Sequence, residues 1–274
     1  MESWMIETGL LAGLFLLAYS LFQFSSSLSK KLASWLVLGT IGTALYFWTD
    51  SLVLALAAVS MWFVFPICQV FIMSRKLRYS SKRSLKQGAL NVEEFPEVHE
   101  LSSHLRKVGF LTEGDHWLKP SPHEQGFRLL RHREKPVFAT VALTLQGNIG
   151  LVYTIFGSQA RDGSVWITWN YPLAYGLEMP PHFKVFRCLE TSSSDELYER
   201  HEAFLKLNDV DVAPNDLQPE NGQTFFEEFF RTMMSHNLSI GLLKSNGQAQ
   251  EDVHYSWRGT LFIMWQVFRE MVFG

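Results

Sequence analysis

Residues 74–91, SRKLRYSSKRSLKQGALN, carry six positive side chains (Arg75, Lys76, Arg78, Lys82, Arg83, Lys86) and no acid, directly after an almost wholly apolar chain start. A junction of this kind separates a part solvated by lipid from a part solvated by water. Three apolar stretches precede it, over about residues 4–24, 32–48 and 52–73. At 1.5 Å per residue, roughly 20 residues cross a hydrocarbon layer of about 30 Å. The first and third stretches reach that length. The second is slightly short, but Tyr46, Phe47 and Trp48 at its end suit the interfacial zone. Lipid offers no hydrogen bonds, so each stretch is expected to be a helix.

Thr49, Asp50 and Ser51 leave a very tight junction between the second and third helices, with Asp50 or Ser51 placed to cap the third. Pro66 is expected to kink it. Orientation follows from Lys and Arg. Lys30 and Lys31 lie between the first two stretches and the six-charge run follows the third, so all eight face inward if the chain starts outside and crosses three times. Glu2 and Glu7 precede or open the first stretch and no Lys or Arg does, which also argues against a cleaved signal peptide. Gly9 and Gly13, and Gly39 and Gly42, give the first two helices small surfaces for helix–helix packing.

Residues 1–73 hold two Lys/Arg and three Asp/Glu. Beyond residue 91 the counts are 16 and 24, about −8. The basic run is therefore a positive collar on an acidic domain, expected to contact anionic lipid headgroups through Arg75, Lys76, Arg78, Lys82, Arg83 and Lys86. Nucleic acid is not expected as a partner, because the acidic domain would repel phosphate.

Beyond the collar, Val98, Leu101, Leu105 and Val108 recur at helical spacing over 96–108, closed by Gly109. The period then changes to two. Val137, Ala139, Val141, Leu143 and Leu145 share one face, with Thr140 and Thr144 on the other; a turn at 146–148 leads to a second strand over 149–156. Asp162-Gly163 closes a hairpin onto 165–169, and 127–131 and 183–187 are weaker strand candidates. An antiparallel meander of four or five strands results. Ser193 with Glu196 reads as a capping box for a helix to about 206. Residues 208–223 read as a surface connection. Apolar-faced helices follow over 225–234 and 261–273, expected to pack on the sheet, with membrane or partner-helix docking as the alternative. The fold class is thus membrane-anchored α+β: three transmembrane helices (1–73), a basic juxtamembrane linker (74–91) and a cytoplasmic domain (92–274) with an antiparallel meander and packed helices.

No catalytic signature emerges. Among nine histidines, His99 and His104 lie about 140° apart on a helix, and Asp115-His116 and Asp252-Val253-His254 each lack a third ligand, so no metal is expected. Cys68 and Cys188 read as reduced thiols. G-x-S-x-G, H-E-x-x-H and phosphate-cradling glycine motifs do not occur, and Glu199 and His201 project apart. Asn237-Leu238-Ser239 matches a glycosylation acceptor but falls on the cytoplasmic side. Tyr153, Phe156, Trp166 and Trp169 read as core or as the lining of an apolar pocket. Arg128, Arg131, His132, Arg133 and Lys135 read as an anion site or a solvated strand edge.

Gly109-Phe110 after a short helix, an Arg161-Asp162-Gly163 hairpin and a Ser193-Ser194-Asp195-Glu196-Leu197 helix carrying His201 resemble a type of bacterial module without an assigned activity. The likeness spans about residues 100–206, and its motifs are structural. The chain therefore reads as a non-catalytic multi-pass protein of a bacterial inner (plasma) membrane, with no cofactor. Its partners would be the lipid bilayer and a protein partner or a second copy of itself, in an accessory-subunit role. The alternative is a membrane-anchored binder of a lipid or small apolar ligand; an enzyme with residues drawn from distant segments is the third reading.

Overall fold

The computed structural model describes residues 2–24, 27–80, 84–90, 95–119, 124–146, 149–172, 176–191, 193–245 and 252–273. The chain divides into two compact units, residues 1–72 with 268–274, and residues 73–267.

In the first unit, α1 (Glu2–Phe22), α2 (Ser27–Thr49) and α3 (Leu52–Lys76, whose last turn belongs to the second unit) are 21, 23 and 25 residues long. Segments Trp4–Phe22, Ser29–Thr49 and Leu52–Lys76 are long and apolar enough to cross a membrane. Lys30 and Lys31, expected between helices, sit in the first turns of α2, since lysine is a good helix former whose stem can carry its charge outward. Large apolar side chains such as Ile6, Phe15, Leu16, Val53, Leu56 and Trp62 are exposed, while the buried hydrophobic residues are Ala18, Ala33, Leu38 and Ala55. The hydroxyls of Thr8, Ser20, Ser34, Thr40, Thr43, Thr49 and Ser60 each donate to the carbonyl four residues back, at 2.7–3.0 Å. These hydroxyls need no partner from solvent, as a lipid environment requires. Asp50 forms the tip between α2 and α3 with a left-handed φ of 50°, and the Ser51 hydroxyl accepts from the Leu54 N–H at 3.4 Å. Trp35 stacks on Phe63 with centroids 5.8 Å apart, joining α2 to α3.

The second unit contains β1 (Tyr79–Ser80), β2 (Ser84–Gln87), α4 (Pro96–Lys107), β3 (Phe110–Lys119), β4 (Glu124–His132), β5 (Phe138–Gln146), β6 (Ile149–Gln159), β7 (Val165–Trp169), β8 (Phe183–Arg187), α5 (Ser194–Leu207), α6 (Gly222–Ser239), β9 (Leu243–Ser245), β10 (Asp252–Tyr255) and α7 (Trp257–Phe273, whose last turns belong to the first unit). Seven strands form one sheet in the order β2-β3-β4-β5-β6-β7-β8, and three form another in the order β1-β10-β9. The expected meander of four or five antiparallel strands is thus a larger, mixed sheet: β7 and β8 pair in parallel, Val165 opposite Phe183 through Trp169 opposite Arg187. The connection between them returns the chain to the starting end of the sheet. It is tied down where Arg187 donates to the carbonyls of Tyr171 and Pro172 at 2.9 and 2.8 Å. The turn expected at Gly147-Asn148 lies outside the described residues. Within the stretch read as a linker, β1 pairs with β10 and β2 with β3.

Alternation in the strands loads both faces of the large sheet. On one face Phe127, Leu129, Phe138, Ile155, Ile167 and Phe183 meet α6, which contributes Phe225, Phe226, Phe229, Phe230 and Met233. Ring pairs Phe138–Phe225 (4.9 Å), Phe183–Phe229 (5.2 Å) and Phe127–Phe230 (5.5 Å) lock this layer. Gly157 has to be glycine here, because a Cβ would overlap the Phe225 ring. On the other face Leu130, Ala139, Val141, Leu143 and Phe156 meet Val98 and Leu105 of α4 and Leu197 and Tyr198 of α5. The helix expected over 225–234 therefore packs on the sheet. It starts where the Asn221 side chain accepts from the Thr224 N–H at 2.9 Å. The capping box expected at Ser193 and Glu196 does not form: Ser193 occupies the cap position without a side-chain bond to the helix backbone, and its hydroxyl turns to the Asp195 carboxylate.

Candidate functional site

The described basic residues lie on α3, on the link that follows it and on β2. Arg75 and Lys76 close the last turn of α3, where positive charge meets the negative end of the helix dipole. The Arg78 guanidinium donates to the Arg75 and Leu77 carbonyls at 2.9 and 3.0 Å, completing that helix end. Arg75 lies over the Trp257 ring, 4.7 Å from its centroid. Lys86 stands on β2 opposite Trp117, and Lys82 and Arg83 lie outside the described residues. Burial, then the charges of Arg78, Arg75 and Lys244, holds the His254 imidazole below its ordinary range. The end of α3, the small sheet and the start of α7 thus gather Arg75, Arg78, Lys244 and Trp257 into a basic, aromatic corner.

The glycines differ in surroundings. A Cβ at Gly42 would sit 2.9 Å from the Val59 side chain, so α2 approaches α3 closely there, whereas Gly9, Gly13 and Gly39 have open space at the Cβ position.

Two surface depressions among the described residues are large enough for a small molecule by volume. The first, about 690 Å³, is lined by residues including His99, Arg106, Thr112, Asp115 and Arg128. Its charge is largely engaged: Arg128 grips Asp115 through two bonds of 2.7 and 2.8 Å, and the bond to Asp115 holds the guanidinium above its ordinary pKa. The second, about 540 Å³, has an apolar floor of Pro136, Val137, Leu205, Val210 and Val212, with Lys135 and Glu202 at its rim. Burial pushes the Glu202 carboxyl up, but hydrogen bonds from Lys135 and Tyr198 outweigh it and hold the group low. Between the large sheet and α6 the space is filled by rings, with a remnant of about 90 Å³, below the size of a ligand site.

The sequence candidates separate. Trp166 and Phe156 share the α4/α5 face, where Trp166 packs on Phe204 at 4.9 Å. Tyr153 and Trp169 lie in the opposite core against Tyr171, so the four do not line one pocket. The Arg128–Lys135 cluster is not a strand edge, because β4 runs between β3 and β5. Its members diverge: Arg131 donates to the Glu220 carbonyl at 2.8 Å, and Lys135 pairs with Glu202. His132 Nδ1 accepts the N–H groups of Glu134 and Lys135 at 3.1 and 3.0 Å, leaving Nε2 to donate to the Val108 carbonyl at 3.1 Å. Among the described residues no three His, Cys, Asp or Glu side chains come together as a metal site would need. Burial raises the Cys188 thiol, away from nucleophile character. Asn237 is buried in α6 and brackets Glu178, its amide accepting from the Glu178 N–H and donating to its carbonyl at 2.9 and 2.8 Å, so it is closed to glycosylation in the fold.

One buried polar network carries no motif in the sequence. The His201 imidazole of α5 is fully buried, with Nε2 3.1 Å from the Ser158 hydroxyl of β6 and Nδ1 2.9 Å from the Thr168 hydroxyl of β7. Burial pushes its pKa down to about 3. A neutral imidazole donates through one nitrogen and accepts through the other, and each hydroxyl can take either role. Sealed from solvent, the trio stitches α5 to the sheet. Its only sequence signal is that Ser158 and Thr168 fall on the helix-facing side of their strands. No protein-family model, curated protein or solved structure matches this chain.

Proposed function

We propose that this chain is a non-catalytic multi-pass membrane protein whose larger unit scaffolds or binds another protein, as an accessory subunit of a membrane complex. Residues 1–73 are its anchor, starting outside a plasma membrane and crossing three times. The basic run meets anionic headgroups on the inner face, and the acidic remainder works in the cytoplasm. One observation carries the reading. Helices α1–α3 turn their large apolar side chains outward and close their hydroxyls on their own backbone, and six Lys/Arg follow at once without an acid. A partner surface is supported at one edge of the large sheet. The β2 edge is occupied, since Leu85 donates to Glu227 at 2.8 Å and accepts from Gln223 at 3.2 Å. At the other edge β8 carries exposed Phe186, with exposed Leu189 just beyond it. Native mass measurement of the gently solubilised chain tests the reading: a mass above that of one chain is expected, and a strictly solitary monomer would count against it.

A second reading, a membrane-anchored binder of a lipid or small apolar ligand, is favoured by the apolar floor of the 540 Å³ groove. Lipid analysis after native extraction separates the two, because that reading requires a stoichiometric bound ligand.

A further inference from the structure

The helix α7 has an arc of apolar side chains that the packing of its own unit leaves exposed. Trp257, Leu261 and Trp265 are 61, 60 and 55% exposed. At about 100° per residue, these three fall within roughly 80° of one another, and Met264, Phe268 and Val272 fall in or beside the same arc. Arg269 and Glu270 fall outside it. The opposite side of the helix start is fixed against the small sheet. Gly259 passes so close to the Leu242 carbonyl that a Cβ would overlap it. The Ser256 hydroxyl accepts from the Gly259 N–H at 3.0 Å and donates to the Gly241 carbonyl at 2.6 Å, and Ile263 packs into the core. The exposed arc is therefore set by the fold.

Two observations bear on what covers it. Phe268, near the middle of the arc, belongs to the unit of the three apolar helices, and its ring meets Phe63 of α3 at 6.3 Å. The last turns of α7 thus belong with helices whose outer surface is suited to acyl chains. At its other end, Arg75 lies over Trp257 and Arg258 donates to the Ile240 carbonyl at 3.0 Å, so positive charge flanks the first tryptophan. Tryptophan beside arginine at one end and aliphatic and aromatic groups at the other is the composition of a helix at the boundary between headgroups and acyl chains. Its 17 residues cover about 25 Å, less than a full crossing needs.

We propose that α7 is a fourth lipid-contacting element, lying in the inner membrane boundary with Trp257, Leu261 and Trp265 against the bilayer. This rests on the reading of α1–α3 as the anchor. Single nitroxide labels at Leu261, at Phe15 of α1 and at exposed Leu207 of α5 test it. They are placed on the full chain in a Cys68→Ser, Cys188→Ser background, reconstituted into a bilayer of mixed zwitterionic and anionic phospholipid. Collisions with oxygen, which concentrates in hydrocarbon, are compared with collisions with a water-soluble nickel chelate. The expected oxygen-to-nickel ratio is several-fold higher at Leu261 and Phe15 than at Leu207. A water-like ratio at Leu261 with a lipid-like one at Phe15 would overturn this proposal and leave the anchor standing, as would shielding of Leu261 from both reagents, which means that protein covers the arc. A water-like ratio at Phe15 would overturn the anchor and this proposal together.

Discussion

In residues 2–72 the bulky residues stand outside and small ones inside: Phe15, Leu56 and Trp62 are exposed while Ala18, Ala33 and Ala55 are buried. In residues 73–267 the order reverses, with Phe110, Phe127, Phe138, Phe156 and Phe226 fully buried. The same chemistry thus faces opposite ways, as expected of a first unit long and apolar enough to cross a membrane and a second with a core of its own. Burial of apolar area drives the second unit together. In lipid that force is missing between helices, so close approach depends on small residues and complementary packing, as at Gly42 and Val59.

The contrast is broken most strongly from inside the second unit. Phe226→Ala removes a ring at the centre of the α6 layer and is expected to cost about 3–5 kcal/mol, measured by denaturant unfolding of the full chain in mild detergent. Next comes a charge placed on an exposed apolar position in each unit. Phe15→Arg is expected to lower insertion by about 3 kcal/mol, whereas Leu207→Arg, equally apolar and more exposed, should change unfolding by less than about 0.5 kcal/mol. Equal effects on insertion and unfolding would remove the distinction between the units.

His201 supplies a pH-dependent test confined to the second unit. Its imidazole stays neutral when folded because burial pushes its pKa to about 3, while the unfolded chain takes up a proton below about 6.5. Stability is therefore present in full above about pH 6.5 and falls as pH drops toward 3, by up to about 1.4 kcal/mol per pH unit. Between pH 7 and pH 5, wild type should lose about 2 kcal/mol more than His201→Gln, which removes the titration; parallel losses would show that the imidazole does not govern the slope. A smaller loss than that from His201 is expected at the start of α6, where Asn221→Ala removes the cap on Thr224 at about 1 kcal/mol, read from the same unfolding curves.

How much the sequence disclosed depended on the range of the interactions involved. The three apolar helices, the alternation of Val137 to Leu145 and the apolar half of α6 are local patterns, and each corresponds to an element. Strand β3 was hidden because a register shift between Thr112 and Gly114 breaks its alternation. Strands β1, β9 and β10 have two, three and four residues, and Tyr79 finds its partner only at Val253. Nothing local announces such pairing. The parallel join of β7 and β8 depends on the path of the connection, not on either strand's composition. Similarly, the His201 network requires one helix and two strands to be placed before its partners are apparent, and the basic corner needs Arg75 and Lys244 from opposite ends of the second unit.

If α1–α3 cross the membrane as proposed, the two chain ends lie in different compartments. Epitope tags fused to each end of the full chain, probed with an impermeant antibody before and after the membrane is opened, test it directly. The amino-terminal tag is expected to be reached in sealed cells and the carboxyl-terminal tag only after permeabilisation; both tags reached together in sealed cells, or both hidden, would contradict the account.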